Sequence, residues 1–279
     1  MAPVIENAVP AAIFAGVVAT GVTVAIERLG GRLGGLLGTL PTTIVPASLG
    51  IWAQTGGGEV FMAAMDATPL GMLVNAVFLW LWRALPPRLP ALRLGPLLAL
   101  MTTLALAAWL VLALGVVLAG RALREAGYPT LTVALAAAAV HLVIGVAGAA
   151  RRTSSPRGAR RVGPVTLALR GLFAALAIGA AVWIAAVAGP TAGGVAAVFP
   201  AIFTTAMAAV WLAQGHAVPA GAVGPMMLGS FSVTMYALVA RASFEALGPG
   251  WGAALAWLVA VATITAPARA WLDRRAATS

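Results

Sequence analysis

The stretch Gly34–Trp52 reads GGLLGTLPTTIVPASLGIW. It has the length and apolarity of a membrane-crossing segment, yet it holds Pro41, Pro46 and hydroxyls at Thr39, Thr42, Thr43 and Ser48. Proline inside a helix removes one backbone hydrogen bond and crowds the carbonyl one turn back. In hydrocarbon the freed groups need partners or an enclosed polar space. A second stretch, Gly193–Trp211, reads GGVAAVFPAIFTTAMAAVW and repeats the pattern. A slide of 159 positions sets Phe14 on Phe173, Gly30 on Gly189, Gly34-Gly35 on Gly193-Gly194, Pro41 on Pro200 and Trp52 on Trp211 without a gap. A three-residue gap then brings Pro69 onto Pro225. The glycine pair, the proline and the aromatics carry the case for an internal duplication, because alanine matches are cheap in this composition.

The rest of the chain is equally apolar. Of 279 residues 62% are hydrophobic and only 9% charged, against about a quarter charged in a soluble domain. Apolar runs of membrane-spanning length recur from end to end and leave no room for a soluble domain. The net charge of +10 comes from Arg alone, placed between the apolar runs. That is a topology signal and an attraction to anionic headgroups, and it argues against nucleic acid as a partner. The absence of cysteine excludes disulfides and thiolate chemistry. The opening MAPVIENAVP has no basic region, so the first apolar run is expected to remain as a span.

Nine spans can be drawn, at roughly 8–26, 33–53, 68–85, 95–119, 129–149, 165–188, 193–213, 221–240 and 250–271. Nine crossings put Arg28, Arg32, Arg83, Arg88, Arg93, the arginines from Arg151 to Arg170, and Arg269, Arg274 and Arg275 on one face, with only Arg121, Arg124 and Arg241 on the other. Basic loops stay cytoplasmic, so the expectation is an inner-membrane protein with its N-terminus outside and its C-terminus inside. With four spans per copy and a fifth between them, the second copy enters from the opposite side, as an inverted repeat. The expected fold is therefore an all-α polytopic membrane protein, two four-helix inverted repeats joined by a central helix. Residues 1–125 form the first repeat, 126–162 the linking span and basic loop, and 163–279 the second repeat.

Gly194, Phe199 and Pro200 in the second stretch, with Leu40-Pro41-Thr42 as a looser counterpart, resemble the small GlpM-like membrane proteins. Those are about half this length, so the resemblance implies a fused tandem. It implies architecture rather than an activity.

Pro41, Thr42 and Thr43, with Pro200, Thr204 and Thr205, are the candidate substrate-binding residues, on two kinked helices expected to meet near the bilayer midplane. Ionisable residues within spans form a second group of candidates, since hydrocarbon makes them costly. His141, in the fifth span, and Asp66 are candidates for proton or ion coupling. His141 also reads as a neutral imidazole bonded to a carbonyl or hydroxyl, and Asp66 as a cap before a helix starting at Thr68-Pro69. Asn75, Ser230, Ser232, Thr234 and Tyr236 are expected to add polarity to the same cavity. Trp52, Trp80, Trp82, Trp211, Trp251 and Trp271 are placed at interfaces, and Trp109, Trp183 and Trp257 between helices. No HExxH pair, acidic metal cluster, phosphate-binding glycine loop or nucleophile elbow occurs, so no cofactor, metal or enzymatic reaction is expected. The sequence favours a transporter or permease for a small neutral or weakly polar solute. The alternative is a non-catalytic structural or assembly subunit of a membrane complex.

Overall fold

The computed structural model describes residues 9–17, 20, 40–90, 92–151, 164–214 and 217–277. Every regular element among them is helical. Residues 9–17 are helical, followed by α1 (Ile44–Thr55), α2 (Gly58–Ala84), α3 (Leu94–Glu125), α4 (Thr130–Ala150) and α5 (Pro164–Ala188). The chain continues through α6 (Pro190–Ala196), α7 (Ala201–Gln214), α8 (Ala217–Gly229), α9 (Phe231–Ala260) and α10 (Ala266–Ala277). Six stretches are long and apolar enough to cross a membrane: Gly58–Ala84, Leu94–Glu125, Thr130–Ala150, Gly171–Ala188, Pro190–Ala208 and Ala220–Arg275. The glycines at 30, 34 and 35, most of the Arg151–Arg161 loop, and His216 lie outside the described residues.

The side-chain pattern explains how these helices sort between core and lipid. In α3 the buried residues are Leu98, Met101, Ala105, Trp109, Ala113 and Val117, one narrow stripe at three- and four-residue spacing. Its other faces expose Leu104, Leu110, Val111, Leu112, Leu114 and Leu118. A helix apolar all round with one buried seam suits hydrocarbon on its outer faces. The same holds for α4, which buries Ala134, Ala137, Ala138, His141 and Gly145. The central helix is α2, whose residues enter both hydrophobic cores. Phe61, Ala64, Met65 and Met72 pack towards α1, α5 and α9, while Val74, Phe78, Leu79 and Trp82 pack towards α3, α7 and α8.

Helix α2 begins at Gly58, well before the expected start at Thr68-Pro69, so Pro69 lies inside it and Thr68 does not cap it. The turn before it runs through Gly56, Gly57 and Gly58, at φ 71°, 87° and 67°. Three consecutive left-handed residues are accessible to glycine and to little else. Pro225 likewise lies inside α8. Trp82 and Trp211, expected at interfaces, are fully buried and meet edge to face at 5.8 Å. Trp183, expected between helices, is 46% exposed. Position along a span does not say which face of the helix a residue occupies, and the face decides burial.

Helix contacts rely on missing side chains. A Cβ on Gly16 would lie 3.1 Å from the Gly171 carbonyl oxygen and 3.3 Å from the Ala175 Cβ, so segment 9–17 crosses α5 at near backbone contact. A Cβ on Gly224 would lie 2.4 Å from the Gly148 carbonyl oxygen, locking α8 against α4. Small residues permit such approach where water supplies no driving force between helices. Within α9, Gly248 departs from helical geometry at φ 75° and ψ 165°, followed by Pro249. Past it, Ser243 Oγ donates to the Gly252 carbonyl at 2.9 Å, and a Cβ on Gly252 would lie 2.7 Å from the Ser243 carbonyl. The helix doubles back on itself there.

Candidate functional site

Both proline stretches are non-helical at the proline, a correction to the expected kinks, and the second separates two described helices. In the first, Leu40–Thr43 is non-helical and α1 starts at Ile44. In the second, α6 stops at Ala196, the chain turns through 197–200, and α7 starts at Ala201. The two breaks share one hydrogen bond. Thr42 N–H donates to the Leu40 carbonyl at 2.8 Å, and Ala201 N–H donates to the Phe199 carbonyl at 2.8 Å. Each is a three-residue turn with proline at its centre, and the fixed φ of proline, about −65°, suits such a turn. The four residues keep the spacing of 159 that relates the two stretches. Pro46 sits in the first turn of α1, where no intrahelical N–H is required, so it costs the helix no bond.

The two turns face one cavity of ≈ 70 Å³. Leu40, Thr43 and Ile44 line it from the first stretch, and residues 197–203 line it from the second. Met72 and Asn75 on α2, Ala174 and Ile178 on α5, and Ser230 and Val233 close the remaining sides. Thr43 and Ile202, 159 positions apart, both reach it. The volume holds a few water-sized molecules or one small solute. Helices α1 and α7 both begin at this space, so the positive ends of two helix dipoles border it.

Asn75 holds the second break in place. Its Nδ2 donates to the Val198 carbonyl at 2.7 Å, and its Oδ1 accepts from the Trp109 indole N–H at 2.7 Å. The irregular backbone thus gains a side-chain partner, and Trp109 stacks edge-on against Phe199 at 5.1 Å. Asn75→Leu is expected to lower stability by about 2 kcal/mol or more, because two buried groups lose their partners at about 1–3 kcal/mol each. Thermal unfolding in detergent checks this; an unchanged midpoint would show that the Val198 carbonyl needs no partner. On the first break's side, Ser48 Oγ donates to the Val45 carbonyl at 2.9 Å and meets the Tyr236 hydroxyl at 2.8 Å, tying α1 to α9.

The expected site residues divide. Thr43 and Pro200 line the cavity, while Pro41 is buried in the turn beside it. Thr42 contributes its backbone N–H to the turn. Thr204 and Thr205 lie outside the lining of this cavity, and their hydroxyls donate back along α7. Thr204 Oγ1 bonds the Pro200 carbonyl at 2.7 Å and Thr205 Oγ1 bonds the Ala201 carbonyl at 3.0 Å. A hydroxyl in apolar surroundings shares the carbonyl one turn back on its own helix. Ser230 and Asn75 do reach the cavity, while Ser232, Thr234 and Tyr236 are buried away from its lining.

His141 is fully buried. Its Nε2 lies 3.3 Å from the Met227 carbonyl and its Nδ1 3.1 Å from Thr234 Oγ1. A carbonyl can only accept, so the Met227 contact calls for a proton on Nε2; Ser230 Oγ lies at the same 3.3 Å, and the hydroxyls of Ser230 and Thr234 can donate or accept. Both nitrogens are occupied by neutral partners at the step between α8 and α9. Asp66 is buried inside α2 and caps nothing, contrary to the expected cap. Its carboxylate accepts from Thr130 Oγ1 at 2.7 Å and lies 2.8 Å from Arg241 Nε. These contacts of Asp66 and those of His141 involve different residues, so the two form no acid–base pair through them. Among the described residues no group of three His, Asp or Glu side chains could hold a metal ion. No protein family, curated protein or solved structure matches the chain.

Proposed function

We propose that the chain is an inner-membrane transporter or permease for a small neutral or weakly polar solute. It would bind the solute between two broken helices related by inverted pseudo-symmetry. One observation carries this: two proline turns, 159 residues apart and closed by the same hydrogen bond, open onto one cavity. Broken helices that meet from opposite repeats are the usual way for such carriers to expose backbone polarity at mid-membrane depth. Two further observations support the repeat and its inversion. Gly16 meets Ala175, its counterpart under the same shift, as residues on a pseudo-two-fold axis would. The arginines assigned to the outer face also cluster by contact: Arg124 bonds Thr191 and Arg241 pairs with Asp66 beside Thr130. Those assigned inside keep to the other end, with Arg83 on Ala220 and Gly148 and Arg275 on Ala150. Nine crossings, an outside N-terminus and headgroup contacts at the basic loops follow from the same scheme.

The dipole ends at the cavity favour a solute that presents an oxygen acceptor towards α1 and α7. The coupling role is harder to place. His141 already has two neutral partners, and Asp66 belongs to an ion pair at the outer end, so facilitated diffusion requires the fewest additions. The second reading, a structural or assembly subunit, draws on the small volume of the cavity and on the back-bonded hydroxyls of Thr204 and Thr205.

Single cysteines separate the two, against a background that has none. Thr43→Cys and Ile202→Cys are expected to react with a small impermeant thiol reagent, each from one membrane side and both protected by substrate. Thr204→Cys should stay unreactive. If Thr43→Cys and Ile202→Cys are both inert from both sides, the cavity is sealed packing and the transport reading fails.

A further inference from the structure

A second cavity lies away from the proline turns, between α2, α4 and α8. It measures ≈ 300 Å³ and is lined by Val77, Trp80 and Arg83 of α2, Ile144 and Gly148 of α4, and Arg151. Two guanidinium groups therefore share one space, with no acidic residue in its lining. The acid described at this end, Asp273, is held by Arg269 at 2.7 Å. Arg83 is fixed from behind. Its Nε donates to the Ala220 carbonyl at 3.2 Å and its Nη1 to the Gly148 carbonyl at 3.4 Å. Its Nη2 is buried with no partner among the described residues. A buried charged donor without an acceptor is costly, and two like charges facing one cavity raise that cost.

From this we propose that the cavity binds the phosphate of an anionic phospholipid. The guanidinium groups of Arg83 and Arg151, both in the lining, together supply the positive charge that receives the phosphate, with Arg151 at the membrane rim. The apolar remainder of the lining explains why the occupant is a lipid and not a free anion. Val77 and Ile144 continue the cavity as a hydrocarbon wall, and the Trp80 ring, 47% exposed, stands where indoles favour the headgroup level. Basic pockets between spans on the cytoplasmic side are general headgroup receptors. Arg83 and Arg151 fall on that side in the arginine scheme. The site is independent of the central cavity, and either proposal can fail without the other.

The test uses the full chain in detergent, exchanged into phosphatidylcholine and titrated with phosphatidylglycerol. Native mass spectrometry then counts retained lipid. Wild type is expected to retain phosphatidylglycerol selectively, and Arg151→Gln to weaken retention about fivefold. Arg83→Gln should weaken it at least as much. Because Arg83 also ties α2 to α4 and α8, its melting midpoint in phosphatidylcholine must be shown unchanged before its loss is counted. Arg151→Gln breaks no described protein hydrogen bond and stands as the independent arm. Equal retention by wild type and Arg151→Gln overturns the site. Displacement of the lipid by millimolar inorganic phosphate overturns the assignment to a lipid and leaves a free-anion site.

Discussion

Gly194→Val is expected to prevent the protein from folding to a monodisperse state, or to lower its stability by about 3 kcal/mol or more, the upper range for overpacking a core. A Cβ at residue 194 would stand 2.0 Å from the Ala64 carbonyl oxygen and 2.9 Å from the Ala67 Cβ. The obstacle is the backbone of α2, which cannot rotate aside as a side chain would. Gly71, further along α2, faces the same element: a Cβ there would meet Val198 Cγ2 at 2.5 Å and the Val195 Cα at 3.1 Å. Helix α6 and the turn after it are thus seated directly on α2, and that seat sets where Pro200 comes to lie. Gly115→Val is the control, since residue 115 is exposed and a Cβ there meets nothing within 4 Å. Size-exclusion profiles and thermal unfolding of the two variants decide the matter. If Gly194→Val behaves like Gly115→Val, α6 does not rest on α2 as described.

The second large effect concerns the ion pair, and it is asymmetric. The Asp66 side chain is 1% exposed and that of Arg241 is 23% exposed. Arg241→Ala leaves a buried carboxylate with the Thr130 hydroxyl as its one remaining described partner, at an expected cost of about 3–5 kcal/mol. Asp66→Ala leaves a long side chain whose charged end can reach water, at a cost of about 1 kcal/mol. Asp66→Leu combined with Arg241→Met is expected to recover most of the loss, because paired apolar replacements remove both desolvation penalties. Unfolding midpoints of the three variants in one detergent test the order. A larger loss for Asp66→Ala than for Arg241→Ala would mean that the guanidinium, not the carboxylate, is the trapped charge.

Much of the helical class was legible in the sequence, and the reason is the length of its apolar runs. They predict helices able to cross a membrane, while the buried stripe from Leu98 to Val117 was not read from them, and proline in matching positions announced irregular backbone at two places but as kinks rather than turns. The start of α2 was hidden because Thr68-Pro69 imitates a helix start and because Glu59 and Asp66 give the preceding residues the look of a loop. Asp66 is tolerated inside the helix only through Arg241 and Thr130, which come from distant parts of the chain and leave no local trace. The cavity was half legible. Proline marked the two places, but hydroxyl chemistry misled: Thr204 and Thr205 satisfy their own helix, whereas Asn75 and Trp109 support the break from elsewhere.

The doubling-back at Gly248 bears on the placement of charge. One unbroken greasy ribbon, Ala220–Arg275, contains a reversal, so the arm after residue 249 runs back against the arm before it. Were residue 248 forced into ordinary right-handed geometry, that arm would run straight on and carry Arg269, Arg274 and Arg275 away from the helices they now lie beside. A single backbone angle therefore decides at which end of the helix bundle a whole cluster of charge lies.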